Sequence, residues 1–360
     1  METRTAESLA PEQTARERGL RVVAIGGGTG LSTLLKGLKR YVISPAEIPA
    51  QADSPFIHDL CAVVTVSDDG GSSGRLRKEL NMLPPGDIRN CIVALSEDEA
   101  LLSRLFRHRF EKGSGLEGHS FGNLFLAALT SLTSDFSEAV RLSSEILVTR
   151  GHIYPATTSN IELEALMEDG SHVRGETKIT ASKGRIQELF LVPPDVGPMP
   201  QTMDAIAQAD MITIGPGSLF TSLIPNLLVR GIAPAIVQSP AVKVYICNLM
   251  TQANESLDLT AADHIRALNR HAGRQIFDYA LINRTPVSDE LKAKYALEGA
   301  CQIVADLDAI EKLGVIPVLG DYLEEGEVAR HNTVRVAGDL VQLAAPLAGT
   351  ERKTRPTRKP

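Results

Sequence analysis

Arg21-Val22-Val23-Ala24-Ile25-Gly26-Gly27-Gly28-Thr29-Gly30-Leu31 is the stretch that decides the fold. Arg21–Ile25 reads as a short buried strand, and Leu31–Leu38 carries apolar residues at helical spacing. A strand, a glycine turn and a helix, in that order, open a parallel α/β sheet. Glycine lets the backbone approach an anion closely, and the helix N-terminus adds N–H donors and a favourable dipole. The glycines at 26, 27, 28 and 30 exceed what a tight turn needs, so a nucleotide phosphate is the expected occupant. The dinucleotide fingerprint G-x-G-x-x-G is met in part: Gly26 and Gly28 fit, and Leu31 stands where a third small residue belongs. The P-loop pattern fails, because no Gly-Lys-Ser/Thr follows.

The next apolar run, Leu60–Val66, reads as a second strand. It leads into Ser67-Asp68-Asp69-Gly70-Gly71-Ser72-Ser73-Gly74-Arg75-Leu76-Arg77. A structural turn needs one Gly and one Asp or Asn; this segment is richer and reads as a flexible, donor-rich loop for a phosphorylated ligand. In a doubly wound sheet, ligands bind at the carboxyl ends of the strands. If the first two strands are neighbours, Gly26–Gly30 and Ser67–Gly74 face one crevice. Asp68 or Asp69 then anchors ribose hydroxyls or Mg²⁺, which takes carboxylates plus substrate phosphates. Adjacent strand residues point to opposite faces, so the other carboxylate falls to a cap or an Asx turn.

Three further clusters continue the pattern. Gly86-Asp87-Ile88-Arg89-Asn90 places Asp87 as an N-cap, with Arg89 able to grip a phosphate. Gly118-His119-Ser120-Phe121-Gly122-Asn123 starts an apolar helix. His119 there is a ligand contact or, with Asp68 and Asp69, a candidate catalytic group, and Asn123 lies beside it. Gly215-Pro216-Gly217-Ser218 repeats the strand-then-glycine design, with Thr221 and Asn226 following; it reads as a second anion site or the far wall of the first. Asn248, Thr251 and Gln252 follow another strand and are expected on the same edge. No Ser-His-Asp order and no H-E-x-x-H motif is read, and hydrolase chemistry of those types is not expected.

Composition narrows the classes. The 360 residues carry 43% hydrophobic and 22% charged side chains, ordinary for a globular chain. No apolar run approaches the ~18 residues of a membrane span, and the N-terminus has no apolar signal region. A net charge of −7 argues against broad nucleic-acid binding. Aromatics at 4%, with no tryptophan, disfavour a stacking platform. Cys61, Cys91, Cys247 and Cys301 form no C-x-x-C pair and read as buried free thiols of a reducing cytoplasm.

Strand and helix signals alternate along the chain. Strands are expected at Ile186–Val192, Met211–Ile214, Ala235–Val237, Val242–Ile246 and Tyr279–Ile282. Helices are expected at Asp87–Leu95, Glu99–Phe110, Phe121–Leu132, Asp135–Ile146 and Ala261–His271. The expected class is α/β, a mostly parallel sheet with helices on both faces and an inserted antiparallel β element at about 149–192. Residues 1–20 are expected as a flexible arm, 21–345 as a single domain and 346–360 as a disordered basic tail.

The five motifs, in this order over roughly residues 20–340, resemble the YvcK-like gluconeogenesis-factor family, which is related to the CofD-like 2-phospho-lactate transferases. The resemblance implies a Rossmann-like fold with a nucleotide cleft. It implies a cytoplasmic regulatory protein that binds UDP-sugars of the UDP-N-acetylglucosamine type. Its implied setting is cell shape and cell-wall synthesis on gluconeogenic carbon sources, with protein partners in envelope metabolism and a possible homo-oligomer. The alternative is a Mg²⁺-dependent transfer of a phosphorylated group from a nucleotide diphosphate adduct.

Overall fold

The computed structural model describes residues 19–43, 54–97, 101–182 and 184–346. The expected arm, up to residue 18, and the expected basic tail beyond Pro346 lie outside the described residues; Leu20 already opens the first strand. Seven strands build the main sheet: β1 (Leu20–Gly26), β2 (Ile57–Val64), β3 (His152–Pro155), β7 (Met211–Ile214), β8 (Val242–Ile246), β9 (Tyr279–Asn283) and β10 (Ile316–Gly320). Every neighbouring pair in it is parallel. Their spatial order is β3-β2-β1-β7-β8-β9-β10. With the strands of the smaller sheets set aside, this is the doubly wound Rossmann-like order, which reverses between β1 and β7.

The pattern follows from burial on both faces. β7 and β8 are buried at every position, and β1 at all but one. Continuous apolar runs of this kind suit a parallel sheet covered by helices on each side. Helix Gly28–Leu38 packs on helix Gly86–Leu95 and on helix Thr333–Ala344, covering one face. Helices Pro200–Gln208 and Ile232–Gln238 pack on each other, the former against β1 and β3. The edge strands β3 and β10 contain Pro155 and Pro317, whose missing N–H blunts edge pairing.

The antiparallel element is a three-stranded sheet, β5-β4-β6, made of β4 (Glu162–Met167), β5 (His172–Arg174) and β6 (Ile186–Val192). It begins later than the expected boundary, because β3 pairs in parallel with β2 and belongs to the main sheet. A hairpin, β11 (Leu323–Glu325) with β12 (Ala329–His331), follows β10.

Two expectations are corrected. Ala235–Val237 is not a strand but part of helix Ile232–Gln238, since a short apolar run carries no period of its own and this one packs as a buried helix face. The donor-rich segment after β2 is not a loop beyond Gly70: residues Gly71–Leu80 form a helix with Leu76 and Arg77 buried. Gly74 makes this possible, because a Cβ there would stand 1.9 Å from the Asp69 carbonyl oxygen. Among the described residues no single helix is long and apolar enough to cross a membrane; the apolar pair Leu219–Leu228 and Ile232–Gln238, bent by 79°, is core.

Candidate functional site

The reversal between β1 and β7 sends one chain left and the other right, leaving a crevice at their carboxyl ends. The two glycine turns meet there. A Cβ on Gly30 would lie 2.2 Å from the Pro216 carbonyl oxygen, so the turns touch backbone to backbone. Beyond them opens a cleft of about 880 Å³. One wall holds Gly27, Gly28, Thr29, Gly30, Pro216, Gly217 and Ser218; Asn248, Thr251 and Gln252 form the floor. Tyr295, Glu298, Val328, Ala329, Arg330 and His331, from the far end of the chain, complete the lining as a further wall. Lys36, Arg89, Arg107, Arg109 and Arg330 bring positive charge to the lining, against the single carboxylate of Glu298 among the lining residues.

The floor is held by its own hydrogen bonds. Asn248 accepts the Gly217 N–H at 3.0 Å and donates to the Gly217 carbonyl at 2.7 Å, stapling the β7 turn to the end of β8. Gln252 donates to Ser218 Oγ at 2.9 Å. The far wall rests on a small cluster of Leu249, Met250, Val287 and Leu291, against which Tyr295, Leu323 and Ala329 pack.

Both helix starts at the reversal receive one of the chain's own carboxylates. Asp87 is not the N-cap expected of it: the helix begins at Gly86 with Pro85 as cap, and the Asp87 carboxyl accepts the Gly28 N–H instead. Burial pushes this carboxyl up to about 6, against the pull of that N–H. At the β7 turn, Glu255 Oε1 accepts the N–H groups of Phe220 and Thr221, each at 2.8 Å. Glu255 is buried, and burial raises its pKa. The anion at the second turn's helix start is therefore internal. Thr29 and Gly30, in the first turn of helix Gly28–Leu38, carry N–H groups that no carbonyl of that helix can reach, and both residues line the cleft.

The segment after β2 lies behind the cleft rather than on its wall. Ser67, Asp68, Asp69, Gly70, Ser72, Ser73, Gly74 and Arg75 are not among the lining residues, and neither are Gly26, Gly86, Asp87, His119, Asn123, Gly215, Thr221 or Asn226. Asp68 Oδ1 accepts the Gly70 N–H at 2.9 Å, an Asx turn. Asp69 Oδ1 accepts both the N–H and the hydroxyl of Thr177, at 2.8 and 2.5 Å, and so docks the short helix Glu176–Ala181 of the antiparallel element. Glu176, on that helix, is pushed up to about 9 by burial and by Asp68, Asp87, Asp69 and Glu255 around it. Among the described residues no group of three or more His, Cys, Asp or Glu side chains is placed to hold a metal ion. Each of Asp68 and Asp69 gives one carboxylate oxygen, Oδ1, to these local hydrogen bonds.

His119 lies in a buried polar chain. Asn123 Nδ2 donates to Ser72 Oγ at 3.1 Å, and Ser72 Oγ and His119 Nδ1 share a hydrogen bond at 2.9 Å. Burial and then Arg75 lower the His119 pKa, in keeping with a neutral ring. Gly70-Gly71-Ser72-Ser73-Gly74 also fits the G-x-S-x-G spacing of a nucleophile elbow, a signal that the reading as an anion loop passes over. Ser72 is only 5% exposed, and among the described residues no carboxylate hydrogen-bonds the ring, so this chain has the spacing without the exposed nucleophile. Arg75 donates to the Glu117 carbonyl and Arg109 to the Gly118 carbonyl, closing this layer from outside. Arg89 joins it to the cleft: it lines the cleft while donating to Ser120 Oγ and Asn90 Oδ1, each at 2.6 Å. Asn226 is buried and donates to the Gly26 and Ser222 carbonyls, a tie between β1 and the helical segment after β7.

Sequence reasoning missed Lys36, Arg107, Arg109, Tyr295, Glu298, Arg330 and His331. Each belongs to a segment with no motif of its own, and the β11–β12 hairpin shows little apolar alternation. Cys61, Cys91 and Cys247 are buried as expected, but Cys301 is exposed, because it follows the loop after helix Asp289–Ala296 rather than a sheet strand.

The model of the family described as 2-phospho-L-lactate transferase CofD matches residues 22–352. A protein named gluconeogenesis factor from Halalkalibacterium halodurans is 49% identical over 323 residues, covering 89% of this chain and 95% of the relative. One of the same name from Bacillus subtilis is 47% identical over 325 residues, covering 90% of this chain and 98% of the relative. The crystal structure of a UPF0052 family member from Bacillus halodurans superposes with a TM-score of 0.84 at 48% identity, covering 90% of this chain and 99% of that one. The chain belongs to the CofD family, among its gluconeogenesis-factor (YvcK-like) members.

Proposed function

We propose that the cleft binds a nucleoside-diphosphate sugar of the UDP-N-acetylglucosamine type, and that the protein is a cytoplasmic regulator acting through this ligand. One observation carries the reading: a cleft of about 880 Å³ at the sheet's reversal point, walled by two touching glycine turns and ringed by Lys36, Arg89, Arg107, Arg109 and Arg330. The volume sits in the upper part of the ~300–1,000 Å³ range of small-molecule sites, with room for a sugar beyond a nucleotide. The concentration of positive charge is local, since the chain carries −7 overall. A diphosphate placed on the Thr29 and Gly30 N–H groups satisfies those donors and meets the arginines. The relatives' name, gluconeogenesis factor, supports a role during growth on gluconeogenic carbon; control of cell-wall synthesis and cell shape through protein partners in envelope metabolism is part of the same proposal. Isothermal titration with UDP-N-acetylglucosamine tests the ligand. Binding at 100 times Kd raises stability by about 2.7 kcal/mol. No heat and no change in Tm at millimolar ligand overturn the reading.

The family model favours a second reading, transfer of a phosphorylated group from a nucleotide diphosphate adduct. The half-buried Asp87 and Glu176 carboxyls, both held above the ordinary range, support proton handling near the phosphates. Turnover of such an adduct, with and without Mg²⁺, is the assay. Product formation untouched by Asp87→Asn and Glu176→Gln counts against it.

A further inference from the structure

The residue after β8 and the one following it tie two separate segments of the cleft lining. Asn248 staples the β7 turn, and the Cys247 carbonyl oxygen lies 3.0 Å from His331 Nε2 on the β11–β12 hairpin. A carbonyl oxygen only accepts, so Nε2 carries the proton and Nδ1 keeps its lone pair. Burial holds the ring neutral by pushing its pKa down to about 4. Among the described residues no group hydrogen-bonds Nδ1, and the residue lines the cleft.

The ring is fixed in place. His331 sits opposite Leu323 in the hairpin. The next residue, Asn332, donates its N–H to the Tyr322 carbonyl at 2.7 Å and caps helix Thr333–Ala344 by accepting the Arg335 N–H at 3.0 Å. On the other side the Ala329 N–H donates to Tyr295 OH at 3.1 Å. A neutral acceptor held on the hairpin, in a part of the lining separate from the glycine turns, is suited to read a donor on the part of the ligand that is not phosphate.

We propose that His331 is a specificity residue whose Nδ1 accepts a hydrogen bond from an N–H or O–H of the bound nucleotide sugar. This rests on the nucleotide-sugar reading of the cleft. The donor is either the imino N–H of a pyrimidine base or a hydroxyl of the sugar; the two share one chemistry and differ in which ligand shows the effect. A ligand that offers only an acceptor at this place leaves two lone pairs opposed and is rejected.

The test compares wild type with His331→Gln and His331→Asn in titrations with UDP-N-acetylglucosamine, UDP, N3-methyl-UDP and inorganic pyrophosphate. Glutamine reaches toward the Nε2 position and keeps the tie to Cys247, but it removes the Nδ1 acceptor. Asparagine places an amide oxygen near the Nδ1 position. His331→Gln is expected to weaken UDP-N-acetylglucosamine by about 3- to 10-fold, the effect of one neutral hydrogen bond. His331→Asn recovers part of that loss, and pyrophosphate binding is unmoved in both variants. A loss seen with UDP and absent with N3-methyl-UDP assigns the donor to the base; a loss seen only with the sugar nucleotide assigns it to the sugar. Either supports the proposal. Wild-type affinity for every uridine ligand in His331→Gln overturns it, as does an equal loss for pyrophosphate, which marks a merely structural residue. Failure of wild type to bind any uridine ligand overturns the nucleotide-sugar reading itself, and the proposal with it.

Discussion

Gly30→Ala is the sharpest perturbation of the cleft. The added Cβ meets the Pro216 carbonyl oxygen at 2.2 Å, its carbon at 2.7 Å and the Gly217 Cα at 2.9 Å. All three are backbone atoms, so no side chain can swing aside. The two glycine turns must part by about 1 Å to restore ordinary contact. Overpacking of this size costs about 1–3 kcal/mol. Parting the turns also moves the Thr29 and Gly30 N–H groups away from any phosphate they hold. A charge-assisted hydrogen bond is worth about 1.5–3 kcal/mol, so the affinity for UDP-N-acetylglucosamine should fall by about 10- to 100-fold. Gly197→Ala is the control, because a Cβ there meets nothing within 4 Å. Urea denaturation gives the stability change and calorimetry the affinity. A Gly30→Ala protein with wild-type stability and wild-type affinity would refute the contact between the turns as the basis of the site.

Three further outcomes follow from the carboxylates. Glu255→Ala strands the buried Phe220 and Thr221 N–H groups and should cost about 1–3 kcal/mol for each, while Glu255→Gln keeps an acceptor and loses less, as chemical denaturation would show. Asp69→Ala removes the acceptor of the Thr177 N–H and hydroxyl, worth about 0.5–2 kcal/mol; hydrogen exchange should rise in helix Glu176–Ala181 while the parallel sheet stays protected. Glu176 binds its proton more tightly folded than unfolded, so its contribution to stability is full below about 4.5 and is lost as pH rises to about 9. Glu176→Gln should match wild type at pH 5 and exceed it at pH 9 by about 1–3 kcal/mol, allowing for its partial exposure to water. Parallel stability curves for the two proteins would disprove the half-buried acidic cluster around Glu176.

The sheet was legible because its strands are buried on both faces. Met211–Ile214 and Val242–Ile246 announce themselves as apolar runs bounded by turn residues, and the structure has strands at those bounds. Ala235–Val237 failed because three apolar residues fit a helix as well as a strand. The glycine turns were legible as well, since backbone crowding admits only glycine at Gly30 and Gly74. The far wall was not. Tyr295, Arg330 and His331 reach the cleft because the β11–β12 hairpin folds back over the end of β8, a contact between distant segments that leaves no local period.

By itself, then, the sequence determined the α/β class, the strand-turn-helix at Gly26–Gly30 and its partner at Gly215–Ser218, because apolar runs and glycine constraints are local. Only the tertiary structure decided which polar groups face the cleft. Asp68, Asp69, Ser72 and His119, prominent in sequence, are hydrogen-bonded within the protein away from the cleft lining, while Asn248, Gln252 and His331 make internal hydrogen bonds and still line the cleft, as does Arg330. The physical reason is that a polar side chain taken from water must be paired. Whether its partner is the chain or a ligand depends on what long-range packing brings within about 3 Å.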